Sequence, residues 1–198
     1  MVYVCIAAAA YLLGSVSTGL LIAGKSSAVN LREMGSKSTG ASNVLRLMGM
    51  KKGAMTFAGD FAKAAAACLA GRLAGGLHGA MLAGLCCIIG HNWPLYHRFK
   101  GGKGVACSAA VILMTFPFPE AAIAILACLT LIAVTRYISL GSMTMTVLFA
   151  ILTAARAHPD PLTCAWAAAI AALCILRHRT NITRMMNGTE NKLGKQKE

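Results

Sequence analysis

Val2 to Ala23 carries no charged side chain, and a stretch of that length is enough to cross the roughly 30 Å hydrocarbon core of a bilayer as a helix. In that core every backbone N–H and C=O must find its partner within the protein, which favours helices for any span. Six further apolar stretches follow, near 53–71, 79–95, 104–117, 120–135, 141–155 and 162–177, with the first taken as 2–24. The expected fold is therefore all-α, a polytopic integral membrane protein with seven transmembrane helices. The fourth and sixth stretches are short for a crossing, which tilt or local thinning of the bilayer accommodates. Val2–Ala23 lacks the positive n-region of a secretory signal and is read as a retained span. Only 13% of the 198 residues are charged, against about 25% in a soluble domain.

The cations orient the spans. Lys25, Arg32, Lys37, Arg46, Lys51 and Lys52 form one group, Arg98, Lys100 and Lys103 a second, and Arg136 a third, while the tail adds Arg177, Arg179, Arg184, Lys192, Lys195 and Lys197. Seven alternating crossings put all four groups on one face and leave Arg72 and Arg156 on the other. The positive-inside rule makes the rich face cytoplasmic, with the N-terminus external and the C-terminus cytoplasmic. The net charge of +13 invites a nucleic-acid reading, but these cations sit between apolar stretches and accompany no aromatic-rich soluble module. The bilayer is the expected partner and nucleic acid is not. The eight cysteines all fall in apolar segments and show no CxxC spacing, so neither a disulfide framework nor a metal site is expected. No cofactor and no obligate protein partner is inferred.

Within the second stretch Lys63 follows Asp60 by three residues, a spacing that brings the two onto one helical face and lowers the cost of placing either near lipid. The connection near 25–52 is too long for a simple turn. Its centre, GSKSTGASNVLRLMG from Gly35 to Gly49, offers hydroxyls at Ser36, Ser38, Thr39 and Ser42, the amide of Asn43 and the forked cation of Arg46. Ser42 or Asn43 is expected to cap the short VLRLM segment, whose backbone N–H groups then favour an anion. The spacing is not that of a P-loop, since Gly40 is followed by Ala41. A second polar segment, GHNWPLYHRFKGGKG from Gly90 to Gly104, combines flexible backbone donors at Gly101, Gly102 and Gly104 with charges at Lys100 and Lys103, the chemistry of an anion site.

Together with TRYISLGS from Thr135 to Ser142 and HRTNITRMMNGTE from His178 to Glu190, these segments resemble the bacterial acyl-phosphate:glycerol-3-phosphate acyltransferase family over almost the whole chain. The resemblance implies one membrane-embedded acyltransferase domain over 1–198, with cytoplasmic loops near 25–52, 96–103 and 136–140 and a tail at 178–198, in the bacterial cytoplasmic (inner) membrane with its active site facing the cytoplasm. It also implies transfer of an acyl group from acyl phosphate to the 1-hydroxyl of sn-glycerol 3-phosphate, the first acylation of phospholipid synthesis. The family pattern maps onto Gly35, Ser36, Gly40, Asn43 and Arg46, onto His91, Pro94 and Lys100–Gly104, onto Arg136, Ser139 and Ser142, and onto His178, Asn181, Arg184, Gly188 and Glu190. Where the family form resembles GSGNxGATN, this chain has Lys37, Ser38 and Ser42 in place of glycine, asparagine and threonine.

On that resemblance Ser36, Lys103, Ser142 and His178 position the reaction, and Arg46, Asn43, Lys100, Gly101, Gly102, Gly104, Asn181 and Arg184 hold substrate phosphate. Gly35, Gly40, Asp60, Lys63, His91, Pro94, Arg136, Ser139, Gly188 and Glu190 are structural or orienting. Two anionic substrates must approach each other, so fixed cations such as Arg46 and Lys103 have to offset their repulsion. No GxSxG elbow or ordered Ser/His/Asp set is present, and a covalent acyl-serine route is not expected. The competing function is a transporter of phosphate esters or other small anions. It calls for paired broken helices in an inverted repeat, and no such repeat is apparent.

Overall fold

The computed structural model describes residues 1–24, 29–156 and 158–194, so Lys25, Lys195 and Lys197 of the basic groups lie outside the described residues. Among the described residues there are nine α-helices, one 3-10 turn and no strand. The chain divides into two compact units, Met1–Thr115 and Phe116–Glu198.

In the first unit the predicted single span over 2–24 is two helices, α1 (Val2–Gly14) and α2 (Thr18–Ala23), separated by a break in which Ser17 is extended. The break has a chemical support. The Gly14 and Val16 carbonyls accept from Lys63 Nζ at 3.0 and 2.6 Å. Helix α3 (Ala41–Met48) closes a small core of Ala23, Leu31 and Val44, onto which Leu20, Leu47 and Met48 pack. Helix α4 (Met50–Asn92) contains both the second and third predicted spans, because the chain reverses at Gly75 and Gly76, the latter at φ +62°, where a side chain would be strained. A Cβ on Gly71 would strike the backbone of Gly79, and the reverse also holds, so the two arms pack backbone to backbone beside the turn. A 3-10 turn (Leu95–His97) leads to α5 (Val105–Thr115), which packs on α4.

The second unit is α6 (Phe118–Thr135), α7 (Ile138–Ala154), α8 (Pro161–Arg177) and α9 (Arg179–Met186), with α6 against α7 and α7 against α8. Asp160 caps α8 by accepting from Thr163 N at 2.8 Å and Thr163 Oγ1 at 2.6 Å, ahead of Pro161 in the first turn, a start signal that needs no tertiary help. The loop predicted near 136–140 is only two residues long. Arg136 adopts a left-handed conformation that ends α6, and Thr135 Oγ1 accepts from Tyr137 N at 3.2 Å. Likewise the predicted loop near 25–52 contains α3 and the first turn of α4, and the tail opens as α9.

Among the described residues, Val2–Ala23, Met50–His97 and Phe118–Thr135 are long and apolar enough to cross a membrane. Helices α8 and α9 add a fourth if the pair, bent by 56°, is one span. Helices α5 and α7 are shorter apolar helices, at the two places where the sequence is short for a crossing.

Candidate active site

The segment before α3 is organised by Asn43, which is fully buried. Its Oδ1 accepts from Ser36 N at 2.8 Å, and its Nδ2 donates toward the carbonyls of Leu31, Met34 and Ser38 at 3.0, 3.2 and 2.8 Å. The predicted cap is different. Gly40 occupies the N-cap of α3 with no side-chain cap bond, because the Asn43 amide is committed to loop carbonyls on its other side. Gly35, at φ +62°, lies so close to Asn43 Oδ1 that a Cβ would not fit. The result is a tight ring that holds Ser36, whose Oγ is buried and has no hydrogen-bond partner among the described residues. Arg46 is half-buried in the last turn of α3.

The glycine loop is built on the end of α4. Gly102 N donates to His91 O at 3.0 Å, and a Cβ on Gly102 would collide with the His91 ring at Nε2. A Cβ on Gly101 would likewise strike His91 O and the Pro94 ring. Gly104, at φ +76°, accepts from Ser108 N at 2.7 Å and opens α5. Peptide N–H groups of the loop and of the first turn of α5 thus lie beside Lys103, which is half-buried, while Lys100 is exposed. A helix N-terminus preceded by glycines and a lysine is suited to an anion.

Behind the loop, Asp60, Lys63 and His91 meet out of water. Lys63 Nζ is 2.9 Å from Asp60 Oδ1 and 3.1 Å from His91 Nδ1. Thr18 Oγ1 donates to Asp60 Oδ1 at 3.0 Å, and Ser15 Oγ accepts from Leu95 N at 3.2 Å. The motifs do not single out Thr18 or Ser15. A hydroxyl inside an otherwise apolar span is the signal for such residues.

In the second unit, Glu190 gathers the tail motif. Ser139 Oγ and Asn181 Nδ2 donate to its Oε1 at 3.0 and 2.6 Å, and Arg184 Nε donates to its Oε2 at 2.8 Å. The chain returns to make these bonds through Gly188, at φ +65°: Gly188 N reaches Met185 O and Thr189 N reaches Arg184 O, at 3.1 and 2.7 Å. This pair of bonds is a Schellman cap. Leu193 N then donates to Arg136 O at 2.8 Å, which ties the tail to the end of α6. Burial alone would raise the Glu190 carboxyl, but hydrogen bonds from Arg184, Asn181 and Ser139 outweigh it and hold the group below the ordinary carboxylate range. Ser142 and His178 lie deeper. Ser142 Oγ donates to Ile138 O at 2.7 Å, and His178 Nδ1 lies 2.8 Å from Cys174 O; since a carbonyl only accepts, Nδ1 carries a proton.

Residues 4–188 match the family model described as glycerol-3-phosphate acyltransferase. The glycerol-3-phosphate acyltransferase of Thermoanaerobacter pseudethanolicus is 39% identical over 189 residues, covering 96% of this chain and 94% of that one. The crystal structure of PlsY, an integral membrane glycerol 3-phosphate acyltransferase, in its glycerol 3-phosphate form is similar at a TM-score of 0.90 and 36% identity, over 97% of this chain and 96% of that one. Its lysophosphatidic acid form is similar at a TM-score of 0.86 and 34% identity, over 97% and 95%.

Proposed function

Because the chain belongs to the glycerol-3-phosphate acyltransferase family, we propose that it transfers an acyl group from acyl phosphate to the 1-hydroxyl of sn-glycerol 3-phosphate. The products are 1-acylglycerol 3-phosphate and inorganic phosphate. The observation that carries this reading is the reach of the likeness, from residue 4 to residue 188, which takes in three polar segments whole and the tail to Gly188.

The acceptor oxygen attacks the acyl carbonyl carbon, the bond from that carbon to the phosphate oxygen breaks with its electron pair leaving on phosphate, and the hydroxyl proton passes to a substrate phosphate. No acyl-enzyme forms. Lys103 and the peptide donors at Gly101 and Gly104 stabilise the charge that grows on the departing phosphate, where preorganised donors act most strongly, while the Gly102 N–H, bound to His91 O, shapes the loop. Arg46, with its planar fork, binds a phosphate in two-point fashion. Asn43 serves by holding Ser36 and the mouth of α3. Asn181 and Arg184, fixed by Glu190 and Ser139, present a polar face for the acceptor, and His178 and Ser142 position it. Lys100 adds charge at the rim.

The chain crosses the bacterial cytoplasmic membrane seven times, the N-terminus external and the polar motifs cytoplasmic. The distribution of cations supports this topology. The donor keeps its acyl tail in hydrocarbon while its phosphate meets the cationic rim.

Purified protein supplied with radiolabelled glycerol 3-phosphate and, in separate reactions, acyl phosphate, acyl-CoA or acyl carrier protein tests the reading. Labelled lysophosphatidic acid is expected from acyl phosphate alone. Equal turnover of acyl-CoA, with exchange to acyl phosphate excluded, overturns the donor assignment, and no product from any donor overturns the reaction.

A further inference from the structure

We propose that Lys63 is a positioning residue for the transfer reaction, acting through His91 on the glycine loop at 101–104. The inference rests on the reaction proposed above and adds to it the device that sets the loop.

Lys63 is 8% exposed, yet its ammonium is enclosed by polar atoms from three separate segments. They are the Gly14 and Val16 carbonyls at the break in the first helix, Asp60 one turn before it on the first arm of α4, and His91 Nδ1 at the end of the second arm, all between 2.6 and 3.1 Å. Asp60 Oδ1 in turn accepts from Thr18 at the start of α2. An ammonium has three hydrogens for these four partners and no lone pair, and His91 Nδ1 also stands 3.4 Å from Asp60 Oδ1, so the Lys63–Asp60 pair together links the helix break to the imidazole.

Stability alone is a poor reason to keep such a charge. A buried ion pair replaced by apolar side chains of similar volume is often neutral or stabilising, whereas removal of one partner leaves an uncompensated charge. What an apolar replacement cannot do is hold the His91 ring. That ring forms the wall of the glycine loop: Gly102 is packed on it too closely for a Cβ, and the Gly102 N–H is bound to the His91 carbonyl at 3.0 Å. Tilting the ring displaces the peptide groups between Gly102 and α5. A displacement on the order of 1 Å costs about 100-fold in rate when it misaligns reacting groups.

The test compares Lys63→Met with the double variant Asp60→Asn/Lys63→Met, both reconstituted in lipid. Unfolding temperature, kcat, the KM of each substrate and hydrogen exchange over residues 100–104 are measured. Lys63→Met is expected to lower both kcat, by about 100-fold, and the unfolding temperature, with little change in the KM for glycerol 3-phosphate. The double variant, freed of a buried carboxylate that has lost its ammonium partner, regains unfolding temperature but not kcat, and exchange over 100–104 is faster in both. Recovery of kcat together with unfolding temperature reduces the pair to a structural one and overturns the proposal, as does wild-type exchange over 100–104 in the folded double variant. If Lys63→Met does not fold, the double variant decides. A wild-type protein that acylates no glycerol 3-phosphate refutes the reaction instead, and the exchange measurement then judges the Lys63 contact by itself.

Discussion

Asn181 Nδ2 donates to Glu190 Oε1 at 2.6 Å, the shortest of three bonds that converge on one buried carboxylate. The consequence is a sign for the pH dependence of the tail. Glu190 is held below the ordinary carboxylate range, so its contribution to folding is full above the pKa of an unfolded glutamate and is lost as pH falls through the lower folded value. Hydrogen-exchange protection over 179–190 is expected to be full above the ordinary carboxylate range, to decline as pH falls through it and to be lost below it. In Glu190→Gln the protection is expected to be weaker at neutral pH and nearly independent of acid, by about 1.5–3 kcal/mol for charged hydrogen bonds. Loss of wild-type protection above that range contradicts the assignment.

Asp60 and Lys63 are legible in the sequence as a pair, because a helix brings i and i+3 together without help from the rest of the chain. Glu190 was legible only as a member of a motif. Its burial depends on the left-handed turn at Gly188, and a single glycine outside a span does not say which way the chain returns. The break at Ser15–Ser17 was hidden for a different reason. Val2–Ala23 carries no charged side chain, and the group that supports the break, Lys63, lies more than forty residues away. The role of Asn43 was obscured because its amide turns back onto preceding carbonyls, where a local cap toward α3 was the simpler expectation.

Asn43→Ala is expected to cost about 1–3 kcal/mol, since it leaves the Ser36 N–H and loop carbonyls without their partner. Thermal unfolding in lipid measures the loss. The same variant is expected to transfer less well than its residual stability explains, because Ser36 is positioned through Asn43 Oδ1. Unchanged stability sinks the picture of Asn43 as the hub of this segment.

Gly102→Ala carries a Cβ into the His91 ring. The chain is expected to fold, because the overlap can be relieved by a shift of the loop, but with kcat reduced by about 10- to 100-fold as its peptide donors move off the leaving phosphate. Turnover equal to wild type shows that the loop tolerates displacement and that the donors are not aligned there.

Topology is open to labelling. In a background with the exposed Cys5 replaced by Ala, Ala74→Cys at the exposed turn of α4 is expected to react with a membrane-impermeant thiol reagent added outside intact cells, whereas Lys51→Cys is expected to react only after the membrane is opened. The reverse pattern inverts the protein in the membrane.

Ser36, Arg46 and Lys103 separate three kinds of contribution. Ser36 lies in the ring organised by Asn43, and its Oγ is buried; Ser36→Ala is expected to slow transfer without accumulation of a covalent intermediate, because the acyl phosphate is already activated. Arg46 sits on the polar side of α3, where a uniform grip on phosphate raises affinity for ground state and transition state alike. Arg46→Ala should therefore raise the KM for glycerol 3-phosphate and leave kcat nearly unchanged. Lys103 stands at the glycine loop before the N-terminus of α5, where contact strengthens as charge collects on the leaving phosphate, so Lys103→Ala should lower kcat by about 100- to 1,000-fold. Steady-state kinetics in one lipid environment, varying each substrate independently, resolve the two effects. Near-wild-type values for both variants remove the charge constellation from the mechanism, and isolation of a kinetically competent acyl-Ser36 protein replaces direct transfer with covalent catalysis.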